Sequence, residues 1–136
     1  MSHWVKTTTK MKEKKYMMAG LKAMGIEAQE GNNLTIRGHW SSSRDKDHVD
    51  IKINEGVGLR QTQDGSWEMV GDFYGTRHSQ WYGKDKQFME KLQGQYCVAQ
   101  VKDRISQLPG GWTFTDNEAG EVDEDGFITM RAQTFF

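Results

Sequence analysis

The spacing of apolar positions changes twice along the chain. Over about residues 10–24, Met11, Met17 or Met18, Leu21 and Met24 recur at helical spacing, and Lys12, Lys14, Lys15 and Lys22 take the other face. That period predicts an amphipathic helix. Gly25 suits its C-cap, because glycine tolerates the left-handed backbone there. A second helical stripe covers about residues 84–107 and carries Phe88, Leu92, Tyr96, Ala99, Val101, Ile105 and Leu108. Pro109-Gly110-Gly111 ends it, since proline lacks the N–H and restricts the residue before it. Gly94 weakens its middle by about 1 kcal/mol relative to alanine.

Between the two stripes the period becomes two. Val49, Ile51 and Ile53 alternate with Asp50, Lys52 and Asn54. Val57 and Leu59 alternate with Gly58 and Arg60, and Trp67, Met69, Gly71 and Phe73 alternate with Glu68, Val70 and Asp72. This is the pattern of strands with one face on a core and one in water. Turn signals at Asn54-Glu55-Gly56 and Gln63-Asp64-Gly65 make residues 48–73 a three-stranded antiparallel meander. Leu34 and Ile36 suggest a further strand, and residues 3–8 another ahead of the first helix. Trp112 and Phe114 begin one after the second helix, and Ile128, Met130 and Ala132 belong to the last. The order predicts one α+β domain over 1–136: two layers, with an antiparallel sheet of about five to seven strands and two helices on one face. Residues 38–47 and 115–126 read as loops.

The strings QDGSWEM (63–69) and EDGFITM (124–130) both place Asp-Gly before an apolar run ending in Met. The second fits a calcium loop at Asp123, Asp125 and Gly126, counted from Glu121, but the position that needs a bidentate Glu holds Ala132. The expectation is two turns feeding two strands, with the shared Met at a core position.

Leu, Ile, Val and Phe make up only 24 residues, about 18% of the chain. Net charge is −1, which does not accompany disorder, and eight Met, five Trp and four Tyr fill out a Met- and aromatic-rich core. Charge is unevenly placed: residues 1–30 carry net +3 and residues 116–125 net −6. Either both are solvated, or the two regions attract each other or a partner. The single cysteine, Cys97, excludes an internal disulfide and fits a reducing compartment. Neither a signal peptide nor a membrane span is expected, so the protein is expected in the cytosol.

Candidate chemistry is sparse. Cys97 sits beside the second stripe, where a buried, inert thiol is expected. His39, Asp45, Asp47 and His48, within HWSSSRDKDH, are candidate metal ligands, and a polar loop is the simpler reading. There is no phosphate-binding glycine loop and no serine elbow, and no cofactor is expected. The stretch DFYGTRHSQWY (72–82) stands out. Phe73, Tyr74, Trp81 and Tyr82 surround Arg77 and His78, a composition suited to anchoring a protein partner or stacking on bases. Alternatively these rings cover the end of the sheet. Lys10, Lys12, Lys14 and Lys15 are the candidate phosphate contacts for nucleic acid, which the sequence pI of about 6.4 disfavours.

Four stretches carry a resemblance: MSHWVKTTTKMKEKKYMMAGLKAMGI, GVGLRQTQDGSWEMVGDFYG, FMEKLQGQYCVAQVKDRISQLPGGW and DEDGFITMRAQTFF. Together, and in this order over nearly the whole chain, they resemble the family called hypothetical chloroplast reading frame thirty-five. Its members occur in algal chloroplasts, cyanobacteria, other bacteria and phages of cyanobacteria. The chain departs from that pattern at Tyr96-Cys97-Val98, where members continue Tyr-Ala-Tyr or Tyr-His, and in the length of 38–47. The resemblance implies a setting and no reaction: a photosynthetic microbe, its plastid stroma, or host cytoplasm for a phage protein.

The expected function is that of a small non-enzymatic accessory or regulatory protein that binds a protein partner through 72–82. A single-stranded nucleic-acid-binding protein is one alternative; a metal-binding protein or an enzyme is the other.

Overall fold

The computed structural model describes residues 4–37, 46–73, 81, 83–125 and 127–134. In chain order the elements are β1 (Trp4–Thr8), α1 (Lys14–Ala23), β2 (Gln29–Arg37), β3 (Lys46–Lys52), β4 (Val57–Gln61), β5 (Trp67–Asp72), α2 (Asp85–Ser106), β6 (Trp112–Asp116) and β7 (Arg131–Thr134). The first five strands form one antiparallel sheet in the order β1-β5-β4-β3-β2. Met17 and Leu21 of α1, with Phe88, Leu92 and Tyr96 of α2, bury against Ile51, Val57, Leu59, Trp67 and Met69 of the sheet. Both helices therefore cover the same face, and the fold is the two-layer α+β arrangement that the periodicities predict. Among the described residues β6 and β7 pair with each other alone, in a separate two-stranded sheet.

The helical period begins at residue 10, yet α1 starts at Lys14. Residues 9–13 bond to other elements instead. The Thr9 hydroxyl donates to the Trp67 carbonyl at 2.6 Å, the Trp67 N–H donates to the Met11 carbonyl at 2.9 Å, and the Glu13 N–H donates to the Tyr96 hydroxyl at 3.0 Å. Met11 is pulled into the core as a result. At the other end the Gly25 cap stands as expected, with φ +77°. The Ile26 N–H reaches the Leu21 carbonyl and the Gly25 N–H the Lys22 carbonyl, a Schellman closure.

Two strand readings change. β5 is buried along its whole length rather than half in water. It lies between β1 and β4, and a second cluster covers the face away from the helices: Ile36, Val49 and Val70, flanked by Trp4 and Leu34. Val49 and Ile51 share a parity but fall in different clusters, so β3 changes phase between them. On that far face Arg60 donates to Glu68 at 2.6 Å and to Asp47 at 2.8 Å.

α2 also departs from its stripe. Phe88, Leu92 and Tyr96 are buried, but Val101 is 41% exposed and Leu108 48%. At 22 residues α2 spans about 33 Å and α1, at 10, about 15 Å; the C-terminal part of α2 has outrun the layer beneath it.

The Asp103 carboxylate ties the two helices together. The Tyr16 hydroxyl donates to Asp103 at 2.5 Å and the Lys15 ammonium at 3.0 Å. The Tyr16 hydrogen bond, then Lys15, hold the Asp103 carboxyl below its ordinary 3.8. A carboxyl with a depressed folded pKa stabilises above its unfolded pKa, and that contribution is lost as pH falls through the folded value. Asp103→Asn should therefore narrow the difference in melting temperature between about pH 6 and about pH 2, with most of the loss on the neutral side. An acid series of melts on both proteins checks this; parallel curves would remove Asp103 as a source of pH dependence.

Candidate functional site

The aromatic stretch 72–82 begins inside the fold. Phe73 is buried, and its ring centroid lies 5.6 Å from that of Phe88 on the first turn of α2. Trp81 is half-buried and meets Phe88 edge-on at 5.3 Å. The backbone closes around them: the Gly83 N–H donates to the Phe73 carbonyl at 3.2 Å and the Lys84 N–H to the Trp81 carbonyl at 2.8 Å. Phe73 and Trp81 thus brace the end of the sheet against α2. Tyr74, Arg77, His78 and Tyr82 lie outside the described residues.

Beside Trp81 opens an apolar recess of about 230 Å³. Ile26, Ile53, Val57, Phe73 and Phe88 line it, with Glu27 and Asn54 as its polar members. Each wall has a local cause. Ile26 is placed by the Gly25 cap. Ile53 and Asn54 follow β3 into the tight turn to β4, where the Asn54 side chain accepts from the Gly56 N–H at 2.9 Å. Small-molecule sites usually offer about 300–1,000 Å³; this recess is nearer the size of one large side chain. Ile53 falls in the apolar phase of the β3 alternation, whereas Ile26 is the member that periodicity passes over, although a hydrophobic residue just past a Schellman glycine often packs back on its helix.

The lysine candidates are partly engaged. Lys14 pairs with Glu30 at 2.6 Å and Lys15 with Asp103 at 3.0 Å, while Lys10 and Lys12 are exposed and in no ion pair among the described residues. Of the metal candidates, His39 and Asp45 lie outside the described residues. Asp47 accepts at Oδ1 from Arg60 and from the backbone N–H of His48, both at 2.8 Å, and the His48 side chain is exposed. Among the described residues no group of three or more His, Cys, Asp or Glu could hold a metal ion, and no helix is long and apolar enough to cross a membrane.

The two Asp-Gly strings differ in outcome. Asp64 accepts from the Thr62 and Ser66 hydroxyls and from the Ser66 N–H, and Gly65 takes φ +87°. These bonds, the Ser66 hydroxyl first, hold the Asp64 carboxyl far below the usual carboxylate range. This turn feeds β5, where Met69 is core. In the second string Asp123 accepts from the Asp125 and Phe127 N–H groups. Residues 127–130 are not strand and Met130 is only half-buried, so the matching core position does not hold there. Cys97, expected to be buried, is exposed on the outer side of α2.

Compared with family models, with curated proteins and with solved structures, the chain matches none.

Proposed function

We propose that the chain is a small non-enzymatic accessory protein, and that its protein partner seats one apolar side chain in the recess beside Trp81. The recess carries this reading: an anchor pocket walled by aliphatic and aromatic side chains at the start of the 72–82 segment. Interfaces concentrate their energy where one buried anchor meets such a pocket, ringed by polar contacts that exclude water; Glu27 and Asn54 supply part of that ring. The resemblance to the chloroplast reading frame family supports a photosynthetic microbe, its plastid or its phage as the setting.

Ile53 is half-buried and lines the recess, so Ile53→Phe fills it while leaving the buried core in place. A pull-down from a cyanobacterial lysate, with and without nuclease, compares the two proteins. Proteins that survive nuclease and are lost with Ile53→Phe, at unchanged melting temperature, support the proposal. Equal capture by both proteins removes the recess. Capture that disappears with nuclease moves the reading to nucleic acid.

A further inference from the structure

We propose that the outer side of α2 is the interface of a symmetric dimer of this chain, in which the lysine end of one copy meets the acidic loop of the other. Two adjoining clefts run along that side and share Gln93 and Cys97 as their common floor. The first, about 540 Å³, is walled by residues 8–11, including Lys10. The second, about 830 Å³, is walled by Val122, Phe127 and Ile128. Phe127 is 68% exposed and Val122 53%, which is costly for large apolar groups so close together.

Charge identifies the occupant. Asp116, Glu118, Glu121, Asp123, Glu124 and Asp125 are all exposed, and none joins an ion pair among the described residues. Lys10 and Lys12 likewise join no ion pair among the described residues, and Lys12 feels only the weaker field of Asp64. Among the described residues the two charged regions form no ion pair with each other within one chain. Lys10 walls the first cleft, and the acidic loop reaches the second through Val122; Lys91 and Glu90, both in the second cleft, offset each other. A two-fold dimer needs a patch complementary to itself. Rotation about an axis near the shared floor sets the first cleft of each copy, with Lys10, against the second cleft and the acidic loop of the other. The recess at Trp81 lies on the core side of α2, so this interface neither uses it nor depends on the accessory-protein reading.

Cys97 lies on the shared floor and reports on the axis. Sedimentation equilibrium of the full chain at low salt should show a dimer that weakens as salt rises. Phe127→Asp, Lys10→Glu with Lys12→Glu, and Glu121→Lys with Glu124→Lys should each weaken dimerisation at least about tenfold. Combining both charge reversals should restore it, which misfolding would not do, and circular dichroism confirms each fold. Mild oxidation should link two copies through Cys97, provided the Cα atoms come within about 7 Å, and Cys97→Ser should stay dimeric but unlinked. A monomer at every concentration, a dimer indifferent to Phe127→Asp, or failure of the combined reversal to restore association overturns the proposal.

Discussion

Gly71→Ala should cost about 3–5 kcal/mol, the largest loss expected from adding one methyl group to this protein. Gly71 sits in β5 opposite Val5 on one side and Val57 on the other. Its φ is +149°, a backbone region that is nearly glycine's alone. A Cβ built there would lie 2.2 Å from the Gly56 carbonyl oxygen and 2.7 Å from the Val57 Cα. Both are backbone atoms, so no side-chain rotation relieves the clash. That same carbonyl accepts the Asp72 N–H at 2.9 Å, and moving it would break the bond that fixes where the β3–β4 turn meets β5. Strain at φ and overpacking therefore add. For a chain of this size the melting temperature should fall by roughly 10–20 °C, measured by circular dichroism and checked by urea unfolding with unchanged m-value. A loss under about 1 kcal/mol would mean that β5 does not hold this backbone.

What the sequence carried and what it concealed divide along physical lines. Periodicity reports which side of an element is apolar, and it placed both helices and the β3–β5 meander. It does not report what the element lies against. Val70 and Glu68 occupy the polar phase of β5, yet both are buried, because β1 and β4 flank the strand and a second apolar cluster closes the far face. Val101 and Leu108 continue the apolar phase of α2 but stand exposed, because the helix is longer than the layer below it. The start of α1 is invisible to propensity, since Thr9, Met11 and Glu13 are claimed by Trp67 and Tyr96, 58 and 83 positions away for the first and last. The recess at Trp81 joins residues from five separate stretches, so no local window contains it. The acidic loop and the lysines were legible as charges; that the two form no ion pair with each other among the described residues was not.

Phe88→Ala should cost about 3–5 kcal/mol, and it probes the stability of the recess wall directly. Phe88 is 1% exposed and lies at the crossing of three things: the core beneath α2, the Phe73 ring and the Trp81 ring. Both ring contacts fall within the centroid range of favourable aromatic pairs, which add about 0.5–1.5 kcal/mol each beyond area burial. Removing the ring opens a cavity continuous with the recess, so Trp81 loses the edge-on contact that fixes its orientation. Phe88→Leu keeps most of the volume but loses both ring contacts, and should cost about 1–3 kcal/mol. The pair of variants separates packing from recognition. Phe88→Leu should leave the protein folded and lose partner capture only in so far as the recess requires a flat aromatic wall; Phe88→Ala should lose stability whether or not a partner is present. Chemical denaturation of both variants reads the first effect and the pull-down of the leucine variant reads the second. If Phe88→Ala melted within a few degrees of the parent, Phe88 would not be the keystone between α2 and the 72–82 segment, and the recess would lack the rigid wall that an anchor pocket needs.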